Sequence, residues 1–228
     1  EGAFIPPPRP GRYEGVACVD YKGLYPSIIL SHNLSWETQV PSHMADEENV
    51  RRLPDGTCWR QGVPALLPSI VNEMFELRDK YKKNMREAST ENERNGWNTL
   101  QLAVKRVMAS FYGMTASAYW GWSDFDIASA ITACGRRAIK FLMEESQNQG
   151  YNALYGHTDS AFVQVPFDEA TALAKHLTET VQREHESSHL IVEFEAYMPY
   201  WVTGGKNLYY GICSYPPEDE GKVKSARW

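Results

Sequence analysis

The chain has 228 residues, 43% of them apolar and 23% charged, and its 23 Lys and Arg against 29 Asp and Glu give a formal net charge of −6. This composition excludes a disordered tail and a fibrous repeat, and the lack of any apolar run of about 18 residues excludes a membrane span. The length allows one large domain or two small ones.

The four cysteines are widely spaced along the chain, at Cys18, Cys58, Cys134 and Cys213. With no C-x-x-C pair among them, the spacing disfavours a zinc site and a disulfide scaffold and favours a reducing compartment. The N-terminal stretch lacks the basic-then-apolar layout of a secretory signal. We therefore expect an intracellular protein, cytoplasmic or nucleoid-associated and not secreted. The acidic balance by itself argues against a nucleic-acid partner.

The first part of the chain predicts an extended arm, a strand and a short helix. Residues 1–15 are rich in Pro and Gly and indicate a linker or N-terminal arm. The apolar run VACVDY (16–21) predicts a buried strand that ends in an acid. A helix is predicted over 24–32 with Pro26 in its first turn, where a proline is tolerated. Residues 41–64 carry turn signals and are expected to be irregular.

Two long amphipathic helices are predicted next. Apolar residues recur every three or four positions over about 68–88 and again over about 95–111. The polar segment STENERNG between them indicates that the helices fold back as an antiparallel hairpin. A further helix is predicted over about 124–148, entered through Ser123-Asp124.

The hydrophobic period then changes from helix-like to strand-like. The runs YNALYG and SAFVQV, separated by the turn at 157–159, predict a β-hairpin. Residues 167–186 predict a helix with Asp168 as a candidate cap, and strands follow from about 190, with a break at Gly204-Gly205. The whole pattern predicts an α+β fold, in which an antiparallel sheet with packed helices carries a projecting helical hairpin.

Two acids lie at the ends of predicted strands. Asp20 closes the VACVDY strand, and Asp159 lies in the turn of the predicted β-hairpin. If the fold brings them together, the two carboxylates can hold two divalent cations about 4 Å apart, an arrangement that catalyses in-line displacement at phosphorus. Mg²⁺ prefers such oxygen ligands. Taken alone, however, each acid is better explained as a structural turn residue.

A basic stretch interrupts this acidic chain in the first long helix. The segment RDKYKKNMR (78–86) has five cations and one acid, a local charge of +4. Arg78 and Lys82 are four residues apart and share one helix face, while Lys105 lies on the facing helix. Three cations around one point suit a triphosphate. From charge alone, a solvated basic face is the better explanation.

Four motifs occur in the order found in the family B DNA polymerases. DYKGLYPSII (20–29) resembles the first palm motif of that family, and KRVMASFYG (105–113) resembles its fingers motif. YGHTDS (155–160) resembles the motif Tyr-Gly-Asp-Thr-Asp-Ser, and KNLY (206–209) resembles the Lys-Lys-x-Tyr element that contacts the primer-template duplex. The match runs from about Tyr13 to Trp228. The chain thus resembles the palm and fingers core of a family B (alpha-like) polymerase.

The resemblance implies template-directed DNA synthesis. A deoxynucleotide would be transferred from a dNTP to a primer 3′-hydroxyl, with release of pyrophosphate, at two Mg²⁺ ions for which Mn²⁺ can substitute. The metal ligands would be Asp20, Asp159 and the backbone carbonyl of Tyr21, with Glu195 as a further candidate. Lys105 would act with the two aspartates in catalysis, as the general acid for the departing pyrophosphate.

The resemblance also implies which residues bind the substrates. Tyr25 would stack beneath the incoming sugar and exclude a 2′-hydroxyl; the alternative is an ordinary buried tyrosine. The complete set implied for nucleotide binding is Leu24, Tyr25, Arg78, Lys82, Lys105 and Tyr112. The set implied for DNA binding is Gly113, Lys206 and Tyr209.

The same resemblance implies a domain map. Residues 1–15 would form the arm, 16–65 the first part of the palm, 66–112 the fingers hairpin and 113–228 the second part of the palm. Exonuclease and thumb domains are not expected within this chain. Other polymerase chains or flanking segments would then supply them, and a processivity factor is a further candidate partner beside primer-template DNA and dNTP. No membrane partner is expected.

Three positions depart from the family pattern: His157 replaces an Asp, Ala109 an Asn and Asn207 a Lys. They leave open two alternatives, a catalytically impaired polymerase-like module for DNA binding or assembly, or one subunit of a split polymerase that is active only with partners. The net charge of −6 no longer excludes DNA, because the sum hides the basic stretch. It predicts weak, salt-sensitive DNA binding by this chain alone.

Overall fold

A computed structural model describes residues 2–226, which fold as two compact units of mixed helix and antiparallel strand. This confirms the predicted α+β class. The first unit joins the stretch up to Leu24 with the stretch from Cys134 onward, and the second unit is Tyr25–Ala133. These divisions do not coincide with the palm and fingers boundaries implied by the resemblance, so that map stays a prediction. No helix among the described residues is long and apolar enough to cross a membrane.

Residues 2–226 form nine β-strands and five α-helices. In chain order they are β1 (Gly11–Tyr21), α1 (Leu24–His32), β2 (Gln39–Val40), β3 (Val50–Arg52), β4 (Cys58–Arg60), α2 (Leu66–Glu87), α3 (Glu91–Thr115), α4 (Phe125–Asn148), β5 (Asn152–His157), β6 (Ser160–Gln164), α5 (Phe167–His185), β7 (Val192–Gly205), β8 (Leu208–Ile212) and β9 (Val223–Ala226).

A six-stranded antiparallel sheet, ordered β5-β6-β1-β7-β8-β9, organises the first unit. β1 lies at its centre and begins at Gly11, so the predicted arm over 1–15 is too long. Residues 11–14 alternate along the strand and pair with Tyr200–Thr203 of β7. The abundance of Pro and Gly before Gly15 hid this alternation in the sequence.

The two faces of β1 have different partners, because successive side chains of a strand point to opposite faces. Tyr21 faces the helices, and its hydroxyl donates to the Ala138 carbonyl oxygen of α4 at 3.1 Å. Val16 and Cys18 face the other way, into an aromatic core. That core contains Leu154, Tyr155, Phe162, Ala196, Met198, Trp201, Tyr209 and Cys213.

Two predictions about the later elements are wrong in detail. The strand β7 continues through Gly204-Gly205, and the chain turns instead at Lys206-Asn207, where Asn207 has φ 57°. Asn tolerates this left-handed conformation better than most residues. Asp168 does not cap α5, because the N-cap residue is Pro166 and no side chain bonds there.

In the first unit, the Glu145 carboxylate of α4 forms a hydrogen bond with His176 of α5. Glu145 Oε1 lies 2.6 Å from His176 Nε2, and Asn148 and Gln149 also donate to this carboxylate. The hydrogen bond from His176, followed by the one from Asn148, holds the pKa of Glu145 below its usual value. The ionised carboxylate therefore stabilises the folded state at neutral pH.

We expect Glu145→Gln to lower the free energy of unfolding by about 1 kcal/mol at pH 7, since one charged acceptor is lost. The folded pKa is depressed, so this contribution is present above the unfolded value of about 4.3 and disappears as the pH falls through the folded pKa. Urea unfolding of both proteins between pH 7 and pH 3 measures the difference. The exposed neighbour Glu144, changed to Gln, is the control. A difference that persists at pH 3 would contradict the assignment.

The helical hairpin of the second unit is formed by α2 and α3. The rings of Tyr81 and Trp97 lie 5.7 Å apart, and Arg78 Nε donates to Gln101 Oε1 at 3.3 Å, so the two helices run antiparallel. α3 begins at Glu91, within the segment predicted as a polar turn. Thr90 and Glu93 form a capping box there, and that box satisfies backbone N–H groups at the helix start.

Residues 41–64 are more regular than predicted. β3 and β4 lie in this stretch and, with β2, form a three-stranded sheet in the order β2-β4-β3. Trp59, in its middle strand, is completely buried. The entry into α4 agrees with the prediction, since Asp124 Oδ1 accepts from the backbone N–H groups of Asp126 and Ile127.

Candidate functional site

Asp20 and Asp159 lie at the ends of neighbouring strands in the first unit. Asp20 is the penultimate residue of β1 and pairs with Ser160, the first residue of β6. The backbone N–H of Tyr21 donates to the Asp159 carbonyl oxygen at 3.0 Å. Both aspartates are partly exposed. The fold therefore brings together the two acids that the sequence singled out, at a place that an ion from solvent can reach.

Asp159 is held in a tight two-residue turn. His157 pairs with Ser160, which leaves Thr158 and Asp159 as the turn residues. Thr158 has φ 55°, an unfavourable conformation for a β-branched residue. The Asp159 N–H donates to the His157 carbonyl oxygen at 2.6 Å, and the Ser160 hydroxyl donates to the same oxygen at 3.2 Å. The turn thus fixes the backbone that carries Asp159.

Close packing beneath this turn connects it to α4. A Cβ placed on Gly156 would lie 2.9 Å from Ile139 Cγ2 and 3.0 Å from Met143 Sδ. A larger residue would require Ile139 and Met143 or the strand itself to shift, because such contacts are shorter than side chains normally make. Gly156 thus lets the helix approach the strand that leads into the acidic turn.

The residues implied for DNA binding have different environments. Tyr209 is only 6% exposed, and its ring lies 4.7 Å from that of Phe162. Burial raises the pKa of Tyr209 to about 12. Its ring is therefore part of the core and supports the strand, while Lys206, two residues before β8, is exposed.

Asn207 has a structural role that the sequence did not reveal. Its backbone N–H donates to the Tyr155 hydroxyl at 3.0 Å, and that hydroxyl lies 3.3 Å from Asn207 Oδ1. The departure from the family Lys therefore removes a cation but gives the turn a residue suited to its positive φ. An Asn between two strand-like runs is a turn signal that could have been used.

Glu195 lies on β7 and has two close partners. Lys224 of β9 donates to its Oε2 atom, and Cys18 Sγ lies 3.5 Å from the same oxygen. Among residues 2–226, no three His, Cys, Asp or Glu side chains are grouped so that they could hold a metal ion. Glu193 is directly opposite Asp20 across β1 and β7 and was not noticed in the sequence.

The basic residues implied for triphosphate binding all lie on the α2–α3 hairpin of the second unit. Arg78 bonds to Gln101, which lies one helical turn before Lys105 on α3. Lys82 lies one turn beyond Arg78 on α2 and, like it, is partly buried, whereas Lys105 is exposed. Because the helices are antiparallel, Lys82 and Lys105 lie about one turn to either side of the Arg78–Gln101 contact. A shared triphosphate site for the three cations therefore stays a prediction.

Two tyrosines implied for nucleotide binding touch each other in the second unit. The ring centroids of Tyr25 and Tyr112 are 5.1 Å apart, with the planes inclined at 57°. Both rings are partly exposed, and Gly113 is exposed beside them with no atom within 4 Å of a Cβ placed on it. Leu24 is buried, at 2% exposure. Tyr25 is thus partly exposed, and its place beneath an incoming sugar stays a prediction.

The donor set of the first unit suits a hard divalent cation. Asp20 and Asp159 supply carboxylate oxygens, and oxygen is the ligand that Mg²⁺ prefers. A pair of carboxylates is enough, since Mg²⁺ sites in phosphoryl-transfer enzymes take few protein ligands and are completed by substrate phosphates and water. The residues present therefore fit the implied metal ions.

The chain is similar to DNA polymerases over most of its length. The sequence profile of DNA polymerase family B matches residues 1–225. DNA polymerase 1 of Pyrococcus abyssi (strain GE5 / Orsay) is 30% identical over 166 residues, which are 73% of this chain and 21% of that polymerase. The DNA polymerase of Desulfurococcus sp. (strain Tok) is 32% identical over 166 residues, covering 72% of this chain and 21% of that one.

A eukaryotic relative and a solved structure extend the similarity. The DNA polymerase delta catalytic subunit of Caenorhabditis elegans is 29% identical, covering 98% of this chain and 22% of that subunit. The family B DNA polymerase of Pyrobaculum calidifontis has the same fold, with a TM-score of 0.74 at 23% identity, over 100% of this chain and 29% of that one. The chain therefore spans less than a third of the relatives it matches.

Proposed function

This chain belongs to DNA polymerase family B, and we propose from that premise that it takes part in template-directed DNA synthesis, using two divalent cations to join a deoxynucleotide to a primer 3′-hydroxyl. The observation that carries the proposal is the meeting of Asp20 and Asp159 at the ends of β1 and the β5–β6 turn. The relatives are named DNA polymerases. Primer-template DNA and dNTP are the proposed substrates, and Mg²⁺ is the proposed cofactor, with Mn²⁺ as a substitute.

Each group of residues has a proposed part in the reaction. Asp20, Asp159 and the Tyr21 carbonyl oxygen would hold the metal ions. When bound, the cations would activate the attacking hydroxyl and stabilise the leaving oxygen. On the fingers hairpin, Arg78 and Lys82 would grip the triphosphate, so that the reacting atoms are held in line.

The remaining roles concern the proton and the base pair. Lys105 would donate a proton to the departing pyrophosphate. Tyr25 would support the incoming sugar, with Tyr112 and Gly113 beside the new base pair. Lys206 would contact the primer strand, with Tyr209 holding its strand in place. Exonuclease and thumb functions would come from other segments or chains.

Primer extension with Mg²⁺ tests the proposal. A labelled primer on a longer template should be extended in the presence of dNTP and should stay unextended when a chelator removes the metal. DNA binding without extension would support the impaired module instead, and extension only after a second polymerase chain is added would support the split form. The departures from the family pattern at His157, Ala109 and Asn207 are the observation that favours the impaired module.

We expect Lys105→Ala to slow nucleotide addition about 10²-fold, since general-acid catalysis typically contributes at least that much. Single-turnover extension at saturating dNTP separates this loss from weaker binding. Lys83→Ala is the matched control, because Lys83 lies on the same hairpin and pairs only loosely with Glu87 at 3.9 Å. Equal rates for the two variants would contradict the role assigned to Lys105.

A further inference from the structure

His157 lies on the same face of the six-stranded sheet as Asp20. It pairs with Ser160 of β6, and Ser160 pairs in turn with Asp20 of β1. Side chains of residues that pair directly across neighbouring antiparallel strands share a face of the sheet. Because neighbouring strands are about 4.8 Å apart, the backbone of His157 lies about 10 Å from that of Asp20. The imidazole of His157 is therefore on the face that carries this acid.

The imidazole ring packs against two tyrosine rings. Its centroid lies 6.2 Å from that of Tyr209, with the planes at 76°, and 6.2 Å from that of Tyr155. Both tyrosines are buried, whereas His157 is partly exposed. Among residues 2–226, the ring nitrogens of His157 have no hydrogen-bond partner. The aromatic contacts thus orient the ring and leave its nitrogens available to a ligand.

The turn between β7 and β8 reaches the same tyrosine. The Tyr155 hydroxyl accepts from the Asn207 N–H at 3.0 Å and lies 3.3 Å from Asn207 Oδ1. Lys206, the residue before Asn207, is exposed. Tyr155 therefore contacts His157 on one side and, on the other, the turn that carries Lys206. The imidazole and the cation belong to one cluster.

Two departures from the family pattern meet at this cluster, and they have opposite effects on phosphate binding. Asn207 stands in place of a cation, and His157 stands in place of a carboxylate. A carboxylate only accepts hydrogen bonds, whereas an imidazole carries at least one N–H donor in either protonation state. Donors to phosphate oxygens make up much of a protein–DNA interface. The cluster thus lacks one phosphate-binding cation and has one additional donor.

We propose that His157 donates a hydrogen bond to one of the last three phosphates of the primer strand, and so compensates for the cation that Asn207 does not supply. The proposal rests on the proposed function, in which Asp20 holds a metal ion at the primer 3′-hydroxyl. Successive nucleotides of a strand are about 3.4 Å apart along the duplex axis, so the 10 Å between Asp20 and His157 spans about three of them. His157 is a primer-binding residue and takes no part in bond formation.

Fluorescence anisotropy of a labelled primer-template, measured in a chelator as protein is added, tests the proposal without any assay of synthesis. We expect His157→Phe, which keeps an aromatic ring and removes the donors, to bind about tenfold more weakly, as expected for a lost hydrogen bond to a charged group. His157→Gln keeps an N–H donor and should bind within about threefold of the parent. His43→Phe makes the same exchange at an exposed position of the second unit and should bind like the parent.

A modified primer identifies the contacted phosphate. Neutral methylphosphonate linkages are placed one at a time at the last three positions of the primer strand. At the contacted linkage the parent should lose affinity, and His157→Phe should lose at least about fivefold less, because both changes remove the same hydrogen bond. A role of His157 in packing alone would give equal losses in the two proteins at every linkage.

The residues of the family pattern test the compensation. His157→Asp should bind at least about tenfold more weakly than the parent, since it removes the donor and adds a negative charge. Adding Asn207→Lys should restore the affinity to within about threefold of the parent, because a cation then meets the phosphate. Thermal unfolding verifies that each variant is folded. If His157→Phe does not fold, His157→Asp decides alone, and the parent affinity in that variant overturns the proposal.

Three other results would overturn the proposal: the parent affinity in His157→Phe, an equal loss in His157→Gln, or a loss that is coupled to none of the three linkages. Failure of the proposed function has a different signature. The parent then binds primer-template no more tightly than the unprimed template strand, and the proposal falls with it. If Lys206→Ala weakens binding and lowers its salt slope by about one, the primer site exists, and a normal affinity in His157→Phe refutes the further inference alone.

Discussion

Changing Asp159 to asparagine is expected to reduce primer extension by at least about 10³-fold, because one of two carboxylates that hold the metal ions becomes neutral. The asparagine side chain has nearly the same shape. The turn that carries it is fixed by backbone contacts to His157 and by the pairing of that residue with Ser160. The change should therefore remove charge with little disturbance of the fold. Single-turnover primer extension in Mg²⁺ measures the effect.

The control for this experiment is Asp168→Asn. Asp168 is an exposed residue in the first turn of α5, and its replacement removes an equal charge from the same unit. Its extension rate should match that of the parent. Thermal unfolding of both variants verifies that lost activity is not lost structure. Extension by Asp159→Asn at the parent rate would contradict a metal-binding role for Asp159.

Replacing Trp201 with alanine is expected to lower the free energy of unfolding by about 3–5 kcal/mol, the range found for large aromatic side chains in protein cores. Trp201 is fully buried, and its ring stacks on that of Phe162 with centroids 5.1 Å apart. The ring of Tyr209 lies 6.0 Å away. Alanine would leave a cavity in the core that supports both Cys18 and the strands next to the acid pair. Urea unfolding at pH 7 measures the change.

Two further substitutions sharpen this test. Trp201→Phe should cost about 1 kcal/mol, because most of the apolar volume remains. The indole N–H that it removes has no hydrogen-bond partner within residues 2–226. Tyr200→Ala changes the adjacent, 54% exposed ring and should cost less than about 1 kcal/mol. A loss below about 2 kcal/mol for Trp201→Ala would show that this cluster is not the centre of the core.

The helices were predicted well because their information is local. The three- and four-residue spacing of apolar side chains identified α2 and α3, and the start signal at Ser123-Asp124 identified α4, to within a few residues at most ends. The start of α3 was missed because STENERNG is polar, although Thr90 and Glu93 form the Thr-x-x-Glu pattern of a capping box. The start of β1 was missed for a similar reason, since Pro and Gly dominate the residues before Gly15.

In the candidate site, too, some features could be predicted from the sequence and others depend on contacts between distant residues. The meeting of Asp20 with Asp159 was implied by the resemblance to family B DNA polymerases, and the structure brings the two residues together. The partners of Glu195 could not be predicted. Cys18 is 177 positions away in sequence, and its contact depends on a β-bulge that has no local signature. Lys224 lies in a stretch with no motif, so only the folded sheet shows which carboxylate it meets.

The central position of β1 has a consequence for how the protein is made. Its hydrogen-bonding partners on both sides, β6 and β7, are encoded about 140 and 170 residues later. During synthesis β1 must therefore wait unpaired until β6 and β7 have left the ribosome, because long loops must close before such contacts form. The acid pair at Asp20 and Asp159 does not exist before that step. A nascent chain released early exposes an apolar strand edge, the kind of surface that chaperones and aggregates recognise.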